Sequence, residues 1–101
     1  MVRRVDEGAL ESLPNIGVEV AARLREAGIS TAAELVGLGS VDTACRLAAA
    51  RPDDPPCRSM LSGLEGAIRG VRWHTIPTAE REELWIAYRQ RLSRSAGPPS
   101  E

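Results

Sequence analysis

Apolar residues return along the first half of the chain at three- and four-residue intervals. Val20, Ala21, Leu24 and Ala27 make one such stripe, which is the spacing of an α-helix that buries one face. The stripe predicts a helix from about Gly17 to Ala27. Pro14 pushes Leu13 out of helical geometry, so Leu13-Pro14-Asn15-Ile16-Gly17 reads as the turn that opens the helix. Gly28 suits the left-handed position just past its end, where Ile29 can fold back on Leu24. Ahead of the turn, a short helix from about Asp6 to Ser12 would lay Ala9, Leu10 and Leu13 on the body.

The same spacing continues downstream. Thr31 with Glu34 three residues later is a capping-box pattern. It starts a short helix carrying Leu35, Val36 and Leu38, and Gly39 ends it. Ser40 is the next N-cap candidate, with Asp42 favourable in the first turn. That helix runs to about Arg51, where Pro52 stops it and residues 52–56 form a stiff connector. A fourth main helix is expected from about Pro56 to Arg69. Met60, Leu61, Leu64 and Ile68 line one of its faces; Gly63, Gly66, Ala67 and Gly70 line a second. Glycine within a helix costs about 1 kcal/mol against alanine, so this small-residue face suggests close approach by another helix or backbone, or a local irregularity, with a docking groove for a partner helix as the further alternative. Thr78 behind Pro77 caps a final helix with Leu84, Trp85, Tyr88 and Leu92 on its buried side.

No useful strand-like alternation occurs. The expected fold is all-α, a compact bundle of about five helices containing a helix-hairpin-helix-like motif at Leu13–Gly17. The expected division is a helical domain over residues 1–92 and a disordered Pro/Gly-rich tail over 93–101. The Leu13–Gly17 turn recurs in outline as Leu35-Val36-Gly37-Leu38-Gly39, as a degenerate second hairpin would.

Composition narrows the function. The chain has 101 residues, enough for one ordinary domain. Aromatics are few (Trp73, Trp85, Tyr88), so Leu, Ile, Val and Ala must build the core. All 13 basic residues are arginine, against 14 acidic ones, for a net charge of −1. A protein that works mainly by neutralising phosphates usually carries a positive excess. Residues 1–56 hold six Arg against nine acids; residues 57–101 hold seven against five. A basic face is therefore expected in the second half. No signal-type or membrane-spanning run is present, so the expected location is cytoplasmic, with Cys45 and Cys57 reduced. Two cysteines and one histidine without a CxxC pair give no recognisable zinc site. No spacing suggests a nucleophile with its base, and no cofactor, small-molecule substrate or membrane contact is expected.

Leu13-Pro14-Asn15-Ile16-Gly17, Leu24, Ala27-Gly28-Ile29-Ser30-Thr31, Glu34-Leu35 and Leu38-Gly39-Ser40-Val41 continue into Leu64-Glu65-Gly66-Ala67-Ile68, Gly70, Trp73 and Ile76-Pro77. Together, over roughly residues 10–90, they resemble the C-terminal domain of the TfoX/Sxy competence regulators. The resemblance implies a small helical domain without catalytic residues. Full-length members of that family carry a separate N-terminal α/β domain and activate DNA-uptake genes alongside a cyclic-AMP receptor transcription factor. For this chain, the resemblance implies a stand-alone C-terminal domain.

Two partners follow as expectations. The first is DNA, bound weakly, without sequence preference and in a salt-sensitive way. Backbone N–H groups at the Asn15-Ile16-Gly17 turn would face a phosphate, with Arg23, Arg69 and Arg72 as supporting cations; the plainer alternative, favoured by Val18 and Glu19 where a phosphate binder would carry Lys or Arg, is a turn that only joins and packs two helices. The second is a protein, favoured by Glu19 beside the turn and by the net charge. Around Trp73, the flanking Arg69, Arg72 and His74 would allow base stacking, but the favoured reading is a tryptophan that plugs the core where the chain leaves the fourth helix, with the arginines solvated. Arg81, Arg89, Arg91 and Arg94 form a set that either steers an acidic partner or salt-bridges with neighbouring glutamates.

Overall fold

A computed structural model of the protein describes residues 9–95. Among them are five α-helices and no strand: α1 (Val18–Glu26), α2 (Ala32–Leu38), α3 (Ser40–Ala50), α4 (Arg58–Arg69) and α5 (Thr78–Ser95). Short 3-10 turns lie at Leu10–Ser12 and Trp73–Thr75. The all-α expectation holds. Of the short helix expected from Asp6, only the 3-10 turn at Leu10–Ser12 falls within the described residues; Asp6 lies outside them.

The predicted punctuation of α1 is present. Gly17 is its N-cap, and Gly28 lies in the left-handed region at φ 90°. The Gly28 N–H donates to the Arg25 carbonyl at 3.0 Å, and the Ile29 N–H to the Leu24 carbonyl at 2.8 Å. This pair of bonds closes the helix and folds Ile29 inward beside Leu24, where both are buried. Thr31 and Glu34 form the reciprocal capping box at the start of α2.

Three helix starts differ from expectation. Ser40 is not a cap: Gly39 holds that place, and Ser40 is the first residue of α3. The Ser40 hydroxyl instead donates to the Glu65 carboxylate at 2.6 Å, a charged acceptor that outcompetes a local backbone bond. α4 starts at Arg58 rather than Pro56. Pro56 is buried and its carbonyl accepts the Tyr88 hydroxyl at 3.4 Å, which ties the connector to α5. Thr78 is the first residue of α5 rather than its cap. At its far end α5 continues through Ser95, past the expected boundary at 92, so Ser93–Ser95 are helical. The rest of the expected tail lies outside the described residues.

α3 packs against α1, α2, α4 and α5. Its Ala44 and Leu47 are buried with Leu24, Leu35, Leu61, Leu64 and Tyr88. Small residues on α3 let four neighbours reach it, and leucines from those neighbours fill the space between.

Outside this core, charges pair off. Arg25 donates to both carboxylate oxygens of Glu11, each at 2.9 Å. These bonds, with a smaller contribution from Glu11's own backbone N–H, hold the Glu11 pKa down to about 2. A depressed carboxylate contributes stability above its unfolded value and loses it as pH falls through the folded one. Acid unfolding followed by circular dichroism is therefore expected to show a loss between about pH 4.5 and 2 that Glu11→Gln reduces. Because the pair is exposed, the difference should be small and should fade with added salt. Identical acid profiles for the two proteins at low salt would remove this role.

Candidate functional site

The Leu13–Gly17 turn is fastened to the far end of α4 by one side chain. Asn15 takes a left-handed backbone conformation at φ 68°, which asparagine tolerates better than most residues. Its Nδ2 donates to the carbonyls of Gly63 at 3.3 Å and Val71 at 2.9 Å. Its Oδ1 accepts the backbone N–H of Trp73 at 3.2 Å. Gly66 makes this clasp possible. A Cβ there would stand 2.5 Å from Asn15 Nδ2, 2.6 Å from the Val71 oxygen and 3.2 Å from Trp73 Cα. The small-residue face of α4 therefore admits the chain's own returning backbone.

That return decides where Trp73 goes. The Gly70 turn (φ 79°) sends Val71 and Trp73 back across α4 on the surface side. Trp73 is 36% exposed, and the residue that enters the core behind it is Ile76. The core-plug reading of Trp73 is thus corrected: close contact between α4 and the Trp73 backbone leaves the ring outside.

Two hollows share Trp73 and Ser59 as walls. One, about 470 Å³, is mostly apolar, with Ile16, Val20, Met60 and Leu64 in its lining and Arg72 at its edge. The other, about 270 Å³, is lined by polar and charged residues, Arg58, Ser62, Thr78, Arg81 and Glu82 among them, although the carbon parts of their side chains make up much of its wall. Arg81 lies over the Trp73 ring at 5.3 Å, and Arg58 over the Trp85 ring at 4.9 Å. Arg89 is also placed over Trp85, at 5.7 Å.

The structure separates the residues that the sequence groups together. Asn15 is spent on the clasp, and Ile16 is buried. Gly17 is exposed, with open space beside its Cα and no side chain capping α1. Arg23 is only 8% exposed and turns to Asp54, donating to its carbonyl at 2.7 Å. Arg69 bridges Glu65 at 2.8 Å and Glu80 at 2.9 Å. Arg72 is exposed and, among the described residues, pairs with no carboxylate. The Arg81–Arg94 set divides as well: Arg91 pairs with Asp42 at 2.6 Å, whereas Arg81 and Arg89 turn to the tryptophans.

The second turn, at Leu35–Gly39, is closed to an external anion. The Glu65 carboxylate already receives the Ser40 hydroxyl at the start of α3, and Arg69 holds the other carboxylate oxygen at 2.8 Å. Arg58 and Ser59 are the contributors to the Trp73 surface that sequence reading did not single out. No local signal could find them, because they meet Trp73 and Trp85 only through the packing of α4 on α5.

Among the described residues there is no cluster of His, Cys, Asp and Glu able to hold a metal ion. No described helix is long and apolar enough to cross a membrane. Cys45 and Cys57 are unpaired thiols.

The model of the family described as the TfoX C-terminal domain matches residues 6–88. The chain belongs to that family. As a TfoX C-terminal domain it also has solved relatives. An uncharacterized protein from Listeria monocytogenes, in a triclinic crystal form, is 37% identical, with a TM-score of 0.73 over 80% of this chain and 90% of that one. A protein of unknown function from the same organism, in a tetragonal form, is 39% identical, with a TM-score of 0.70 over 81% and 98%. A search of curated proteins finds no match. The Leu64–Trp73 segment that carries the resemblance is, in this TfoX C-terminal domain, the stretch that Asn15 clasps.

Proposed function

We propose that this TfoX C-terminal domain is a non-enzymatic nucleic-acid-binding module with a regulatory role, contacting the backbone without sequence specificity. The observation that carries the reading is the distribution of uncommitted cations. Six of the eleven described arginines pair with carboxylates; of the other five, Arg72, Arg81 and Arg89 gather beside Trp73 and Trp85. The uncapped start of α1 at Gly17 lies at the neighbouring turn. Cations beside aromatic rings suit a phosphate backbone with bases close by. Arg72 and Gly17 remain the hairpin-side contacts; Asn15 and Arg23 act by holding the turn and α1 in place.

Anisotropy titrations of labelled DNA across a salt series test this. Three phosphate contacts predict that log K falls against log salt with a slope of about −2 to −3. Arg72→Glu should weaken binding roughly tenfold without lowering the melting temperature. Absence of binding to any nucleic acid at low salt would overturn the reading.

A second reading, protein docking, draws on Val18, which is 76% exposed next to the turn, and on Val71 at 37%. It gains the ground if nucleic acid fails to bind while Val18→Ser breaks a complex with a protein.

A further inference from the structure

Trp73 lines two hollows, one with apolar side chains and one with hydroxyl and charged side chains. We propose that this surface takes single-stranded nucleic acid, with one base in the apolar groove against Trp73 and an adjacent phosphate in the second hollow. The inference rests on the nucleic-acid reading above and specifies which nucleic acid is taken and how it sits at Trp73.

The groove offers what an unstacked base needs. Its volume of about 470 Å³ falls within the ~300–1,000 Å³ of small-ligand pockets. Ile16, Val20, Met60 and Leu64 give it apolar walls, and Trp73 supplies an exposed aromatic ring. A duplex keeps its base faces stacked inside; a single strand can present one.

The second hollow offers what the neighbouring phosphate needs. Arg81 Nε donates to the Ile76 carbonyl at 2.9 Å, and Nη2 to the Thr78 hydroxyl at 3.1 Å. These two bonds fix the guanidinium over Trp73 and leave Nη1 without an acceptor among the described residues. Ser59 and Ser62 bring hydroxyl groups to the same pocket. Glu82 also lines it, but its carboxylate is held by Arg58. An anion there meets a positioned cation and hydroxyl donors. An acidic peptide without aromatic side chains would satisfy the cations but bring no ring to stack on Trp73.

The test compares a labelled oligothymidylate of about twelve nucleotides with a duplex of equal length, at one low salt concentration. The single strand is expected to bind at least about tenfold more tightly, since only it can place a base on Trp73. Trp73→Leu should cost the single strand roughly fivefold to a hundredfold, the range for one stacked base, and should cost the duplex clearly less. Ser59→Glu places a carboxylate on the wall common to both hollows. Ser59 is exposed in the first turn of α4, where glutamate suits the helix dipole, so this variant should fold normally and still lose single-strand binding. Cys57, exposed and lining the apolar groove, should alkylate more slowly when the oligonucleotide is bound. Equal affinity for both nucleic acids, unaltered binding by both variants, or displacement of the strand by polyglutamate at matched charge overturns this inference alone. Failure of both nucleic acids to bind overturns the broader reading with it.

Discussion

Gly66→Ala is expected to destabilise the protein by roughly 2 kcal/mol or more, although alanine is the better helix former. Two effects oppose each other. Alanine in a helix gains about 1 kcal/mol over glycine. The new Cβ would sit 2.6 Å from the Val71 oxygen and 3.2 Å from Trp73 Cα. Both are backbone atoms, so no side-chain rotation relieves the contact, and overpacking of this kind costs about 1–3 kcal/mol. The third neighbour, Asn15 Nδ2 at 2.5 Å, must also move, so the clasp is lost as well. For a domain of this size the melting temperature should fall by roughly 8–16 °C, at about 4–8 °C per kcal/mol. Gly37→Ala is the matched control. Gly37 lies within α2 with nothing within 4 Å of its added Cβ, so the same change there should stabilise by up to about 1 kcal/mol. Thermal melts of the two variants should move in opposite directions; an unchanged or raised melting temperature for Gly66→Ala would show that the returning chain does not lie against α4.

The second large effect is expected at Asn15. Asn15→Ala removes three hydrogen bonds that tie the turn to Gly63, Val71 and Trp73, each worth about 0.5–1.5 kcal/mol net. It also places a less tolerant residue at φ 68°, at roughly 1–2 kcal/mol. The total should reach about 3 kcal/mol. Asn15→Gly loses the same bonds but accommodates the backbone, so it should be milder by about the left-handed cost. Asn15→Asp should be as damaging as alanine or worse, because it aims a carboxylate at two carbonyls where an N–H₂ group had donated. Denaturant midpoints at constant slope measure all three. If glycine and alanine are equally destabilising, backbone conformation plays no part. If aspartate is harmless, the amide donors do not hold the turn.

Several parts of this fold are legible from neighbouring residues alone. The Gly28–Ile29 closure of α1 and the Thr31–Glu34 box read correctly because each is local, with its partners within a few residues. The buried stripe of Leu24, Leu35, Leu47, Leu61 and Leu64 reads correctly because helical spacing fixes which positions face inward. Ser40 shows the limit. Its local pattern suits a cap, but Glu65 on another helix offers a stronger acceptor. Asn15 and Arg23 show it for function. As sequence, both look like donors awaiting a phosphate; in the fold, the carbonyls of Gly63, Val71 and Asp54 take them. Trp73 shows the opposite case, an aromatic expected in the core that the close approach at Gly66 keeps on the surface.

Helical class and the positions of most turns follow from the periodicity of apolar side chains and from glycine, proline and capping residues, which act over a few positions; membership of the TfoX C-terminal domain family follows from the match of its model to residues 6–88. Which polar groups remain available depends on the packing. Arg23, Arg69 and Arg91 find partners brought to them by other helices or connecting loops, whereas Arg72 and Arg81 end beside Trp73 without a carboxylate among the described residues. Ion pairing and exposure depend on distances between segments remote in sequence, and helix packing sets those distances.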